Sequence, residues 1–144
     1  MTLLKSPVYY AEKYKTSFMN MAYAVAYNSV ATRRKVGCVI YLSNHTISIG
    51  WNGQPSGTPT EDCEGEDGFT LGEVAHAEQN TLNKLPEGSK LLKGAILFCS
   101  TQPCLKCSKL IVDSGVAKVY YSEEYSSKEG KEYLQQHSIE CVKI

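Results

Sequence analysis

The order of elements written into this 144-residue chain predicts an α/β fold in which helices cover a sheet. Three observations carry that prediction. Five short runs rich in branched and aromatic residues have the length of strands, and a helical stretch separates each from the next after the second. The first two lie close enough, across Asn44 and His45, to form a hairpin. The resulting order, αββαβαβαβ, implies right-handed crossovers and parallel pairing after the hairpin. Ligands of such sheets bind outside the carboxyl ends of the strands.

Taken in order, Ser6 and Pro7 read as the cap and first residue of a helix, and nothing from Val8 to about Ser29 would stop it. Phe18, Met19, Ala22, Val25 and Ala26 give it an apolar face; Tyr9, Tyr10, Tyr14, Tyr23 and Tyr27 read as packing residues rather than a stacking surface. After a polar break at Ala31 to Lys35, VGCVIYLS reads as a buried strand and TISIGWN as its partner, with His45 a solvated turn residue. The stretch from Gly53 to Gly72 is rich in Gly, Pro, Thr and acidic residues and reads as a long loop of the kind that carries binding groups. A helix from near Val74 to about Leu85 ends at Pro86 and Gly88. Next come strand AILFCS, a helix from Pro103 to about Ser114 stopped by Gly115, strand AKVYYS, a helix near Ser127 to Gln136, and a last strand, SIECVKI.

The length fits one domain, residues 1–144, with a core that needs no disulfide staples. Fifteen basic and fifteen acidic side chains cancel, so there is no global field for a polyanion and nucleic acid is not the expected partner. MTLLKSPVYYAEKYK lacks the apolar centre of a signal peptide and no stretch approaches the roughly 18 apolar residues of a membrane span, which leads us to expect a cytoplasmic protein. Cys38, Cys99 and Cys141 lie in apolar runs where the thiol acts as a small hydrophobe, as in a reducing compartment.

Two short stretches carry the chemistry: His76-Ala77-Glu78 within VAHAEQN, and Pro103-Cys104-Leu105-Lys106-Cys107 within TQPCLKC. One imidazole and two thiolates form a three-ligand zinc set whose fourth tetrahedral position stays open, as catalysis requires. The two cysteines, three residues apart, face the same way on one helical turn. Glu78, two residues beyond His76, is turned about 200° around a helix axis and is better placed to move protons than to share the metal. HxE followed by PCxxC is the signature of zinc deaminases. The competing structural reading is a closed zinc site with Cys63 or Cys99 as fourth ligand, which leaves Glu78 without a role.

With HAEQN and TQPCLKC, the segments RRKVGCVI, GWNGQPSG and KVYYSEEY make the sequence resemble the cytidine deaminase-like superfamily, and within it the deoxycytidylate (dCMP) deaminases. The resemblance covers most of the chain and implies a three-layer α/β/α sandwich around a five-stranded mixed sheet. It implies one catalytic Zn2+ on His76, Cys104 and Cys107, and Glu78 as the proton shuttle that turns dCMP and water into dUMP, for thymidylate synthesis, and ammonia. Asn52 would hydrogen-bond the substrate, although it also suits an Asn-Gly turn, and Ala77 would bring its backbone N–H to the ring. Arg33, Arg34 and Tyr125 are candidates for the phosphate, although Arg33 to Lys35 also reads as a solvated basic run. The family further implies a homo-oligomer, a hexamer above all, with dCTP and Mg2+ as activator and dTTP as inhibitor.

Two departures stand out. The loop from Gly57 to His76 is shorter than in many relatives and surrounds Cys63 with no cluster of His and Cys, so one zinc per chain is expected; Trp51 replaces a commoner Tyr. Other readings keep the zinc chemistry but change the substrate to dCTP, cytidine, guanine or tRNA adenosine, or make the protein a noncatalytic nucleotide-binding zinc module. Balanced charge speaks against tRNA, and an intact Glu78 against the module.

Overall fold

A computed structural model describes residues 3–54, 62–68, 71, 74–86 and 88–144. The single long helix expected at the start is two, α1 (Pro7–Lys13) and α2 (Lys15–Ala26), parted at Tyr14 with φ −113° and ψ 26°. Bonds from Tyr14 N–H to Tyr10 O and from Phe18 N–H to Tyr14 O run through the junction, so it is a bend rather than a break. The bend lets Ala11 from α1 and Met19 and Ala22 from α2 reach the same sheet face, a tertiary demand that no Gly or Pro announces.

Strands β1 (Gly37–Tyr41) and β2 (Ile47–Trp51) form the expected hairpin. At its turn His45 takes φ 66°, but its ring is half-buried rather than solvated: Nδ1 lies 3.0 Å from the Tyr41 hydroxyl, and Tyr10 meets the ring edge-on. There follow α3 (Ala77–Leu82), a 3-10 turn at Lys90–Leu92, β3 (Ile96–Thr101), α4 (Leu105–Ser114), β4 (Lys118–Glu123), α5 (Glu129–Gln136) and β5 (Glu140–Lys143). Gly115 ends α4 in the left-handed region, φ 90°, as its sequence position predicts.

The sheet order is β2-β1-β3-β4-β5. From β3 to β5 the strands are parallel as expected, whereas β1 runs antiparallel to both β2 and β3. The crossover through α3 does join two parallel strands, β2 and β3, but the first hairpin strand lies between them. The sheet is therefore mixed.

Period-two alternation sends the strand side chains to two cores. Cys38, Ile40, Leu97, Cys99, Val119 and Tyr121 pack with Ala77 and Leu82 of α3, Ile111 of α4 and Leu134 of α5. Val39, Tyr41, Ile96, Phe98 and Tyr120 pack on the opposite face with Ala11, Met19 and Ala22. Helices thus cover both faces, giving the α/β/α sandwich. α3 lies so close that a Cβ at Gly50 would stand 2.3 Å from Thr81 Oγ1. Tyr10 and Tyr23 pack at the edge of the second core while Tyr27 is exposed. Among the described residues no helix is long and apolar enough to cross a membrane.

Much of the long loop, residues 55–61, 69, 70 and 72, lies outside the described residues. Its ends meet through paired bonds between Gly53 and Ala75, and Cys63 is buried with Ala31 and Val74.

Candidate active site

The two motif helices begin later than the sequence suggests. α3 starts at Ala77 with His76 as its N-cap, and α4 starts at Leu105 with Cys104 as its N-cap, so Pro103 precedes the helix instead of opening it. Both cap residues have extended backbones, ψ 159° and 172°, which turns their side chains off the helix axes. They meet. His76 Nδ1 lies 3.4 Å from Cys104 Sγ and 3.3 Å from Cys107 Sγ, and Cys107 N–H donates to Cys104 Sγ at 3.5 Å.

A tetrahedral zinc with ordinary Zn–N and Zn–S bonds would hold nitrogen and sulfur about 3.6 Å apart, so these donors fit the ion with little adjustment. The Cys104 thiol is pulled down to about 4, foremost by the hydrogen bond from the Cys107 thiol and also by His76, against the effect of burial. The same bond, with burial, pushes Cys107 up. The hydrogen bond to Cys104 raises His76. Among the described residues only these three form such a ligand group; Cys99 lies on β3 opposite Cys38, and Cys63 packs with Ala31 and Val74.

Glu78 stands beside the group without joining it. It is 4% exposed, and burial pushes its carboxyl up, with the thiols of Cys99 and Cys107 as hydrogen-bonding neighbours. A buried carboxyl held above its usual range at a cavity wall is suited to taking and returning a proton.

Above these residues opens a cavity of about 510 Å3, with His76, Ala77, Glu78 and Cys104 among its walls. It lies where β2, β3 and β4 end. Arg33, Arg34, Asn52 and Tyr125 all line it, so the structure brings every sequence-predicted site residue except the buried ligand Cys107 to one hollow, with Cys107 just behind Cys104. Asn52 accepts from Val36 N–H at 2.9 Å and donates to Arg34 O at 2.8 Å, so it braces the segment before β1 and keeps one donor and one acceptor in reserve. Trp51 does not line the cavity; Lys84 Nζ lies 5.1 Å from its ring.

Sequence reasoning missed two polar residues here. Glu64 accepts from the backbone N–H groups of Thr32, at 2.5 Å, and Arg33, at 2.8 Å. Gln102, 2% exposed, donates to Ser127 O at 3.0 Å and so holds the segment carrying Tyr125 and Ser126. Glu64 had no signal beyond its place in an acidic loop, whereas Gln102, a large amide beside Pro103 in the metal motif, offered one.

Residues 12–123 match the family described as the cytidine and deoxycytidylate deaminase zinc-binding region. The chain belongs to that family. Its fold superposes, with a TM-score of 0.86 and 43% identity, on the dCMP deaminase of cyanophage S-TIM5 crystallised with dCMP and dUMP, covering 92% of this chain and 97% of that one. The deoxycytidylate deaminase of Mycobacterium phage D29 is 32% identical over 74% of this chain and 92% of its own length. That of Saccharomyces cerevisiae is 35% identical over 78% of this chain, but the match spans only 38% of the yeast protein.

Proposed function

We propose that this family member hydrolyses dCMP to dUMP and ammonia. The observation that carries the reading is a buried carboxyl, Glu78, set beside a three-donor metal group that opens into a cavity lined by two arginines. The cyanophage relative crystallised with dCMP and dUMP supports the choice of nucleotide.

Bound by His76, Cys104 and Cys107, zinc would supply a Lewis acid that makes water a nucleophile at neutral pH. The protein residues do the rest. Glu78 takes a proton from the attacking water and delivers it to N3 of the pyrimidine. It then takes the second proton from the hydroxyl now on C4 and delivers it to the 4-amino nitrogen, so that the C4–N bond breaks, ammonia leaves and the C4 carbonyl remains. Its burial keeps bulk water from exchanging those protons. Ala77, buried at the start of α3, places backbone rather than a bulky side chain against the ring. Asn52 offers its remaining donor and acceptor to the sugar or base, and Arg33, Arg34 and Tyr125 at the cavity wall receive the 5′-phosphate. The reading extends, by family resemblance, to a homo-oligomer, a hexamer above all, and to a dCTP or dTTP effector held with Mg2+. Light scattering with and without each triphosphate tests that extension.

Ammonia release from dCMP, CMP, deoxycytidine, dCTP, guanine and an adenosine-containing tRNA stem-loop tests the substrate. Glu78→Gln should lower kcat on dCMP by about 10²- to 10⁴-fold with zinc content unchanged. Wild-type turnover in that variant, or release from a different substrate alone, would sink the assignment.

A further inference from the structure

The segment from Ala31 to Val36 carries both cavity arginines, yet it belongs to neither helix nor strand. Side chains hold its backbone. Ser29 Oγ accepts from Ala31 N–H at 3.2 Å, Glu64 from Thr32 and Arg33, and Asn52 from Val36 while donating to Arg34 O. Ser29 in turn donates to Asn52 O at 2.9 Å, tying the first holder to the third.

Glu64 is the odd member of this set. It lines the cavity, where an uncompensated carboxylate would repel a phosphate. Two consecutive backbone N–H groups converge on its Oε1 in charge-assisted bonds and draw the charge towards the segment. Those bonds, that of Arg33 foremost, hold the Glu64 carboxyl below its usual range. The negative charge is thus partly neutralised in the cavity wall, by the two backbone N–H groups and by the Arg33 charge beside them.

We infer that Glu64 is a positioning residue for phosphate recognition: by gripping the backbone at Thr32 and Arg33 it fixes where Arg33 and Arg34 meet the 5′-phosphate. This rests on reading the cavity as a dCMP site. The consequence is selective. Loosening the segment weakens binding of the phosphorylated nucleotide and leaves the pyrimidine end, built on α3 and α4, as it was.

The test compares Glu64→Ala and Glu64→Gln with the wild type, on dCMP and on unphosphorylated deoxycytidine, each protein checked for zinc content and circular dichroism. Glu64→Ala should raise KM for dCMP about tenfold with kcat within about twofold, and leave kcat/KM for deoxycytidine unchanged. Glu64→Gln keeps an acceptor oxygen, should recover most of the loss, and carries the comparison alone if the alanine variant fails to fold. Titration calorimetry with dUMP against deoxyuridine should repeat the split without turnover, and the Thr32 and Arg33 amides should exchange at least about tenfold faster in Glu64→Ala. Equal losses on dCMP and deoxycytidine, or an unchanged KM for dCMP in both variants, overturn the inference while dCMP turnover stands. A wild type that neither deaminates dCMP nor binds dUMP overturns the reading of the cavity, and the inference with it.

Discussion

Gly130, on the first turn of α5, makes the metal-binding loop sensitive to a single methyl group. A Cβ built there would lie 2.3 Å from Pro103 O, 2.6 Å from Cys104 C and 2.7 Å from Cys104 O. All three are backbone atoms, so no rotamer change relieves the clash. Reaching even the 3.0 Å below which Cβ contacts essentially never occur requires a shift of 3.0 − 2.3, or 0.7 Å. Cys104 O also accepts the first intrahelical bond of α4, from Ser108 N–H at 2.9 Å, which resists the movement. Helix propensity alone would make Gly130→Ala stabilising by about 1 kcal/mol. Overpacking against rigid backbone costs about 2–3 kcal/mol, so the expected net effect is a loss of about 1–2 kcal/mol. Zinc sites tolerate departures of about 0.2 Å in ligand distance, so a displaced Cys104 should also weaken zinc about tenfold or more. Urea unfolding of the chelator-treated protein measures the first quantity and competition with a chromophoric chelator the second. A variant at least as stable as the wild type, with unchanged zinc affinity, would refute the reasoning.

Other outcomes follow from the same geometry. In protein stripped of metal, Cys104 is a thiolate at neutral pH because its titration is pulled down to about 4, and a group depressed this far stays charged above that value. Its alkylation by iodoacetamide should therefore be flat between about pH 6 and pH 8, where an ordinary thiol speeds up nearly tenfold per unit, and zinc should suppress it; peptide mapping by mass spectrometry reads both. A steep pH dependence at Cys104 would mean that the His76 and Cys107 contacts do not persist in the metal-free protein. Asn52→Ala removes the bonds to Val36 and Arg34 and should cost about 1–3 kcal/mol in urea unfolding while raising KM for dCMP. Unchanged stability with a raised KM would leave substrate contact as the only role of Asn52.

What could be read in the sequence was whatever is periodic or locally spaced. The five strands announced themselves because alternation serves two cores, as Val39 and Ile40 do on opposite faces of β1. His76, Cys104, Cys107 and Glu78 were legible because few other residue sets perform that chemistry at that spacing. The bend at Tyr14 was not, since it answers to packing of Ala11 and Met19 on strands far along the chain. Nor was the place of β1 between β2 and β3, because element order does not say on which side of a hairpin the next strand lands. Glu64 was hidden for a related reason: its grip on Thr32 and Arg33 spans 32 and 31 residues and leaves no local pattern.

The helix starts deserve a physical explanation, because both were placed too early and both are where the ligands sit. Helix N-caps favour Ser, Thr, Asp and Asn, whose oxygens accept from the first exposed N–H groups and contribute about 1 kcal/mol. His76 makes no such bond, and α3 behind it has only six residues. Cys104 does accept from Cys107 N–H, but through sulfur at 3.5 Å, a weak cap. Both helices thus give up ordinary capping at the positions that face each other across the site. The extended cap backbone keeps the imidazole and thiolate clear of the first turn and free to converge on a metal, while α3 carries Glu78 as its second residue, beside the donors but outside the group. A cap chosen for helix stability would fill the same positions with oxygen and lose the donor set. Starts without a side-chain cap bond also occur at Tyr14 of α2 and Lys128 of α5; what His76 and Cys104 share is the extended cap backbone, and that is the structural counterpart of the metal chemistry.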